Sequence, residues 1–292
     1  MNSIPEIRAA RPLLAGPSIL HPTDFGPTSR LALAHAVALA LKTHGKLSLL
    51  HVRGVDEAGP TRNGLGPVTD LLVRWGRLTP EERFADLRQK LGFAAVCLDV
   101  PARSVSAGVL AHFEDHPVEL AVLTTNALSG LSYWFAGSVS RRALRQADTM
   151  ILFLREGQRG IVDPRTGDIR LAKALIPIDG RLPAEVALSR ARALIDRLGV
   201  SVEKRLLYVG DALPAGAPVD IPLTLAQGPV AEAILRTAAS FGADLIVMPT
   251  AGKRGLLAAF RNSVSAQILE DARWPVLSVP ATEPAVGRAP PR

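Results

Sequence analysis

The residues best placed for chemistry are two aspartates and two serine-bearing loops. Asp24 closes the run Ile19-Leu20-His21-Pro22-Thr23-Asp24, and Asp179 closes Ala174-Leu175-Ile176-Pro177-Ile178-Asp179. In both, a short apolar run ends in Pro, one residue and Asp. A carboxylate just beyond a strand can shape the turn it stands in or face a ligand in the crevice above the sheet. Further along, Gly137-Ser138-Val139 and Asn262-Ser263-Val264 open helical patterns. A serine there either caps the helix or stands with the free N–H groups that meet an anion. Lys253, Arg254 and Arg261 flank the second of these loops, where the first has Leu128, Ser129 and Ala136. Three cations near a helix N-terminus attract a polyphosphate, which favours the second loop as the anion site.

Other chemistries find no support. There is no Gly-x-Ser-x-Gly elbow and no Gly-x4-Gly-Lys-(Ser/Thr) loop; Gly64-Leu65-Gly66-Pro67-Val68-Thr69 misses the dinucleotide fingerprint and lies in an insert. His112 and His116 are spaced for a metal pair beside Glu114 and Asp115, but the spacing equally suits a solvated helix end, the reading adopted. All 6 histidines precede residue 117, so histidine chemistry shared by two copies is excluded. No catalytic residue and no metal site are expected. Trp75, Trp134 and Trp274 read as packing or interface residues.

Composition narrows the class. Hydrophobic residues make up 48% and charged residues 21%, enough for a large core, while aromatics at 4% leave that core to Ala, Leu, Val and Ile. The net charge of +7 comes from scattered Lys and Arg beside acids, as in Glu81-Glu82-Arg83, without aromatic interleaving. Nucleic acid is therefore not an expected partner. No apolar run has membrane-spanning length, Met1 to Pro17 lacks a secretion signal, and Cys97 is the lone cysteine; a cytoplasmic location with no membrane contact is expected.

An internal repeat supplies the elements that position these residues. Val118 to Leu154 aligns without a gap on Ala243 to Val279, at an offset of 125 (243 − 118). The two Pro-x-Asp runs correspond as well, so the repeat is a whole domain. In the first copy, strands are predicted near 18–23, 47–52, 95–100, 119–124 and 149–154, and helices near 27–43, 80–91, 102–115 and 138–147. The strands are continuous apolar runs, as in parallel sheets buried on both faces. In the second copy, a third strand is predicted at Val219 to Leu225, with no counterpart of the 80–91 helix. Asp163-Pro164-Arg165-Thr166-Gly167-Asp168 carries turn chemistry and predicts a hairpin-like connector. The expected organisation is a flexible N-terminus (1–17), a first domain (18–155), a connector (156–172), a second domain (173–280) and a flexible tail (281–292).

Strand one ending in Pro-x-Asp, the loop after strand four, and the closing Trp274-Pro275-Val276-Leu277-Ser278-Val279-Pro280 together resemble the universal stress protein family. The resemblance covers Ser18 to Pro280 in two copies. It implies two tandem doubly wound parallel five-stranded α/β sheets of the adenine nucleotide alpha hydrolase-like kind. Nucleotide-binding members carry Gly-x2-Gly-x9-Gly-(Ser/Thr) after strand four. Here the first copy reads Thr124-x2-Ala127-x9-Gly137-Ser138, and the second Pro249-x2-Gly252-x9-Asn262-Ser263. A Cβ at Ala127 obstructs close approach of an anion, Pro249 removes an N–H, and Asn262 is the mildest loss because Asn tolerates the left-handed region. By resemblance, ATP would meet Pro177, Asp179, Val209, Met248, Gly252, Lys253, Arg254, Asn262, Ser263 and Val264 in the second copy. The first copy would offer Asp24, Val52, Gly137, Ser138 and Val139. The function implied is non-enzymatic, in the stress response, with an intramolecular pseudo-dimer through the final strands and a homodimer also open. The alternatives are a protein-binding scaffold without nucleotide and, last, a slow ATPase.

Overall fold

The structure is a computed structural model that describes residues 16–55, 64–82, 87–125, 149–180, 184–212, 220–250 and 264–281. The first half contains β1 (Ser18–Pro22), α1 (Arg30–Thr43), β2 (Lys46–Arg53), α2 (Gly66–Arg74), α3 (Leu87–Leu91), β3 (Ala94–Pro101), α4 (Val105–Asp115), β4 (Leu120–Thr125) and β5 (Met150–Arg155). The second contains β6 (Lys173–Ile178), α5 (Ala184–Arg197), β7 (Glu203–Val209), β8 (Leu223–Ala226), α6 (Val230–Phe241), β9 (Leu245–Thr250), α7 (Val264–Asp271) and β10 (Val276–Pro280).

All these strands form one ten-stranded sheet in the order β3-β2-β1-β4-β5-β10-β9-β6-β7-β8. Each half is a parallel five-strand set, and the second repeats the order of the first in mirror sequence. The halves meet where β5 and β10 pair antiparallel, with Leu152 opposite Leu277 and Ile151 opposite Ser278. Every residue of β10 is buried, as is β5 from Met150 to Leu154. One apolar cluster, with Ile19, Leu120, Leu152, Leu245 and Leu277, lies under α1, α2 and α5. The other, with Leu20, Ala121, Ile151, Ile246 and Val276, lies under α4, α6 and α7. Both run unbroken across the joint, so the halves share a core.

Several predicted elements shift. The first helix begins with a 3-10 turn at Pro27–Ser29, because Pro27 sets the first turn, and becomes α-helical only at Arg30. The 80–91 helix is confined to Leu87–Leu91 among the described residues; before it, the Glu82 carboxylate accepts from Thr79 N (2.6 Å) and closes a turn. The 102–115 helix starts at Val105, since Ser104 caps it by accepting from Ala107 N (3.2 Å). The insert, for which no element is predicted, contains α2, with Pro67 in its first turn, where a missing N–H costs nothing. The third strand of the second half starts at Leu223, directly after Pro222, instead of at Val219. The 138–147 helix falls outside the described residues.

The connector is a hairpin with a Val162–Ile169 antiparallel bridge. It is held from three sides. Trp75 Nε1 donates to Pro164 O (3.1 Å). Arg155 Nη1 donates to Glu270 O (2.7 Å), and Gln158 Nε2 to Ala272 O (3.0 Å) and Trp274 O (3.2 Å), which satisfies carbonyls at and beyond the end of α7. The third tie is His35, fully buried on α1. Its Nδ1 lies 2.8 Å from Leu31 O, which can only accept, so the proton is on Nδ1 and Nε2 is an acceptor. Nε2 takes the N–H groups of Ile161 (3.0 Å) and Val162 (3.2 Å). Gly160 makes room for the ring: its φ is +68°, and a Cβ there would stand 2.4 Å from His35 Cε1.

His35→Leu keeps the volume but orphans two buried amide donors, each costing about 1–3 kcal/mol. Urea unfolding should show a loss on the order of 2–4 kcal/mol, with faster hydrogen exchange at the Ile161 and Val162 amides. An unchanged midpoint and unchanged exchange would count against the clamp.

Candidate functional site

The carboxyl ends of β1 and β4 in the first half, and of β6 and β9 in the second, are the two topological switch points where such sheets bind ligands. At each the paired register is short. β1 keeps only Ile19–Leu120 and Leu20–Ala121 with β4, and β6 keeps only Ala174–Leu245 and Leu175–Ile246 with β9. By contrast, β1 follows β2 to Pro22 and β6 follows β7 to Ile178. Thr23 N–H points to Leu50 O on β2 (2.9 Å). Successive N–H groups of a strand alternate sides, so Pro22 faces β4 with no donor to offer. The proline of the Pro-x-Asp run thus stands where the strands part, and the aspartate follows at the mouth.

In the first half, Asp24 is exposed and shapes its own turn. Its Oδ1 accepts from Gly26 N (2.8 Å) and Ser29 Oγ (2.6 Å), while Thr23 Oγ1 accepts from Phe25 N (2.9 Å). These bonds hold Phe25 at φ 57°, a left-handed backbone that costs about 1–2 kcal/mol for such a residue. Partial burial works to raise the Asp24 carboxyl, but the Ser29 and Gly26 bonds and the nearby His21 leave it below its ordinary value. Phe25 lies 5.7 Å from the His51 ring. His51 Nδ1 is 3.0 Å from Asp99 Oδ1, and Arg53 Nε is 3.9 Å from the other oxygen.

His21, passed over in the sequence, lies in the wedge itself with no exposed surface. Its Nδ1 donates to Val122 O on β4 (2.9 Å), replacing the contact that the parting strands no longer make. Burial pushes its imidazole down to about 4, against the opposing pull of the Val122 bond and Asp24. Burial likewise takes His35 down to about 4, against the Leu31 bond.

The second half keeps the geometry and changes the chemistry. From the registers Pro22–Leu50 and Pro177–Leu207, Val52 corresponds to Val209, His51 to Tyr208 and Arg53 to Gly210. Ile176 replaces His21. Asp179 is exposed just past β6, and Pro177 is buried within it. Met248 belongs to the cluster under α6 and α7, Val209 and Val264 pack against that cluster, and Val52 packs on it from the first half. Gly137, Ser138, Val139, Gly252, Lys253, Arg254, Asn262 and Ser263 lie outside the described residues.

Two first-half features were not foreseen. The carboxyl end of β2 carries a cation, Arg53, close to His51 and Asp99. A cleft of about 590 Å³ also opens between the β1–α1 turn, α2 and the connector, lined by Thr23, Phe25, Arg30, Leu31, Arg74 and Gln158 among others. His112, taken as part of a solvated helix end, is buried and stacks on His116 at 4.3 Å. Among the described residues no His, Cys, Asp and Glu group could hold a metal. None of the described helices is long and apolar enough to cross a membrane.

The family model for universal stress proteins matches residues 17–155 and 201–280. The chain belongs to the universal stress protein family. The second match begins after α5, so β6, with its Pro-x-Asp end, is assigned to the second repeat by the sheet order and the fork. A universal stress protein from Archaeoglobus fulgidus is similar at 16% identity and TM-score 0.58, covering 91% of this chain and 98% of its own. A functionally unknown protein from Pseudomonas aeruginosa matches at 16% and 0.58, covering 91% and 93%. The cytoplasmic domain of a prokaryotic cation chloride cotransporter shares the fold at 11% identity and TM-score 0.50, over 92% and 97%. No curated protein matches the chain.

Both buried histidines fold neutral, with pKa lowered from 6.5 to about 4. A lowered histidine contributes stability that is complete above pH 6.5 and is lost as pH falls towards 4. Each shift corresponds to on the order of 3 kcal/mol. Urea midpoints should therefore decline between pH 6.5 and 4, and His21→Ile should flatten part of that slope. A pH-independent midpoint across this window would contradict both assignments.

Proposed function

We propose that this universal stress protein is a non-enzymatic, cytoplasmic adenine nucleotide-binding protein of the stress response, with ATP as the ligand. The observation that carries the reading is the doubled switch point. In each half the strands part after two paired residues, and an exposed aspartate, Asp24 or Asp179, stands just beyond. Family membership, and the placement of Val209, Met248 and Val264 against one face, support the second half as a site. The cations Lys253, Arg254 and Arg261 add the charge a triphosphate needs. Nucleotide binding without turnover fits a chain with no nucleophile-and-base pair in its sequence motifs; ATP would then act by shifting conformation or partner affinity.

A scaffold that binds protein and no nucleotide is the second reading. It is favoured by the lost glycines at Thr124, Ala127 and Pro249, each of which removes room or a donor from a phosphate loop. Calorimetric titration of ATP into the full chain separates the two. Saturable binding is expected, weakened about tenfold or more by Lys253→Ala with Arg254→Ala, and weakened by Gly252→Val. No heat at millimolar ATP would leave the scaffold reading standing. ATP hydrolysis that persists through purification and disappears in Asp179→Asn would overturn the non-enzymatic assignment.

A further inference from the structure

The two forks share one backbone plan but differ in what fills them, and the difference is polar. His21 Nδ1 carries the ring proton, because it bonds to a carbonyl. Nε2 is therefore a lone-pair acceptor, it is buried, and it has no hydrogen-bond partner. Thr124 Oγ1 is also buried and without a partner. Thr124 is on β4, two residues past Val122 and therefore on the same face of the strand. At the matching places the second half has Ile176 and Pro249, whose side chains ask for nothing.

A buried acceptor left unpaired costs about 1–3 kcal/mol, and such groups in native proteins have a partner to explain them. Because His21 Nε2 accepts, that partner must bring an N–H or O–H; a phosphate oxygen or a carbonyl would face it lone pair to lone pair. Asp24, the exposed carboxylate at the mouth of the fork, is close enough to His21 for their charges to interact.

We infer that the first-half fork, His21 with Thr124, is a recognition subsite for a neutral hydrogen-bond-donating group of the ligand, and that the second half has no such subsite. The chemistry is that of a sugar hydroxyl or an exocyclic base amine. This rests on the nucleotide reading above and extends it: the half with the more cationic loop is not the half with the polar fork, so the two crevices make different demands on a ligand. His21→Ile makes the first fork like the second and keeps a side chain that this fold already accommodates at the same position.

The test uses the full chain with 15N-labelled histidine at pH 7, the His21 signals being assigned by their loss in His21→Ile. ATP, inosine triphosphate, 2′-deoxy-ATP and 3′-deoxy-ATP are added in turn, while calorimetry reads binding separately. The expected result is a shift of the His21 Nε2 resonance on adding ATP, and affinity at one site about tenfold weaker in His21→Ile. Loss of the shift with inosine triphosphate assigns the donor to the base amine; loss with a deoxy nucleotide assigns it to that hydroxyl. If ATP binds saturably, yet the Nε2 signal stays still and His21→Ile binds as the parent does, the subsite is wrong and the nucleotide reading survives. An Nε2 signal already hydrogen-bonded without nucleotide and unmoved by all four overturns it in favour of a resident water. Absence of ATP binding by calorimetry overturns both.

Discussion

The antiparallel pairing of β5 with β10 is the constraint on which the molecule depends. A five-stranded parallel set ending in β5 would present an edge of unpaired N–H and C=O groups beside a strand apolar on both faces. Placing β10 there satisfies that edge and turns two domains into one sheet. Each apolar cluster then extends under helices from both halves, and the connector must run from β5 back to β6 over the shared core. Its ties follow from that route. His35 receives it from α1, Trp75 from just past α2, and Arg155 and Gln158 anchor its start to the carbonyls around the end of α7. The small helix α2, an insertion relative to the second half, has its place because the connector needs a wall.

A repeated backbone does not impose repeated chemistry. Both forks open after two paired residues, and both have a proline where the strands part and an aspartate at the mouth. Yet one wedge is filled by a histidine that bonds to the neighbouring strand, the other by an isoleucine. The polar cluster His51, Arg53 and Asp99 has Tyr208, Gly210 and Leu225 as its counterparts. Two copies in one chain are free to diverge in this way, since the loss of a side-chain contact in one half leaves the backbone of the other intact. The strained Phe25 turn belongs to the same specialisation. Its left-handed backbone persists because the Thr23 and Asp24 side chains hold the residues around it.

What the sequence determined by itself is the plan of strands and the place of the forks. Parallel strands buried on both faces are continuous apolar runs, and Pro-x-Asp is a local signal, so both could be read from neighbouring residues. The insert gave no such signal, and α2 within it went unpredicted: it begins at Gly66-Pro67, where proline is at home in a first helical turn. Tertiary structure alone decided which side chains meet. His21 looked like one polar residue in an apolar strand until β4 was laid beside it, with its bonding partner 101 residues away. His35 likewise finds the connector 126 residues on. Contacts of that separation leave no trace in local periodicity, because their energy comes from burial and hydrogen bonding between elements that only the folded sheet brings together.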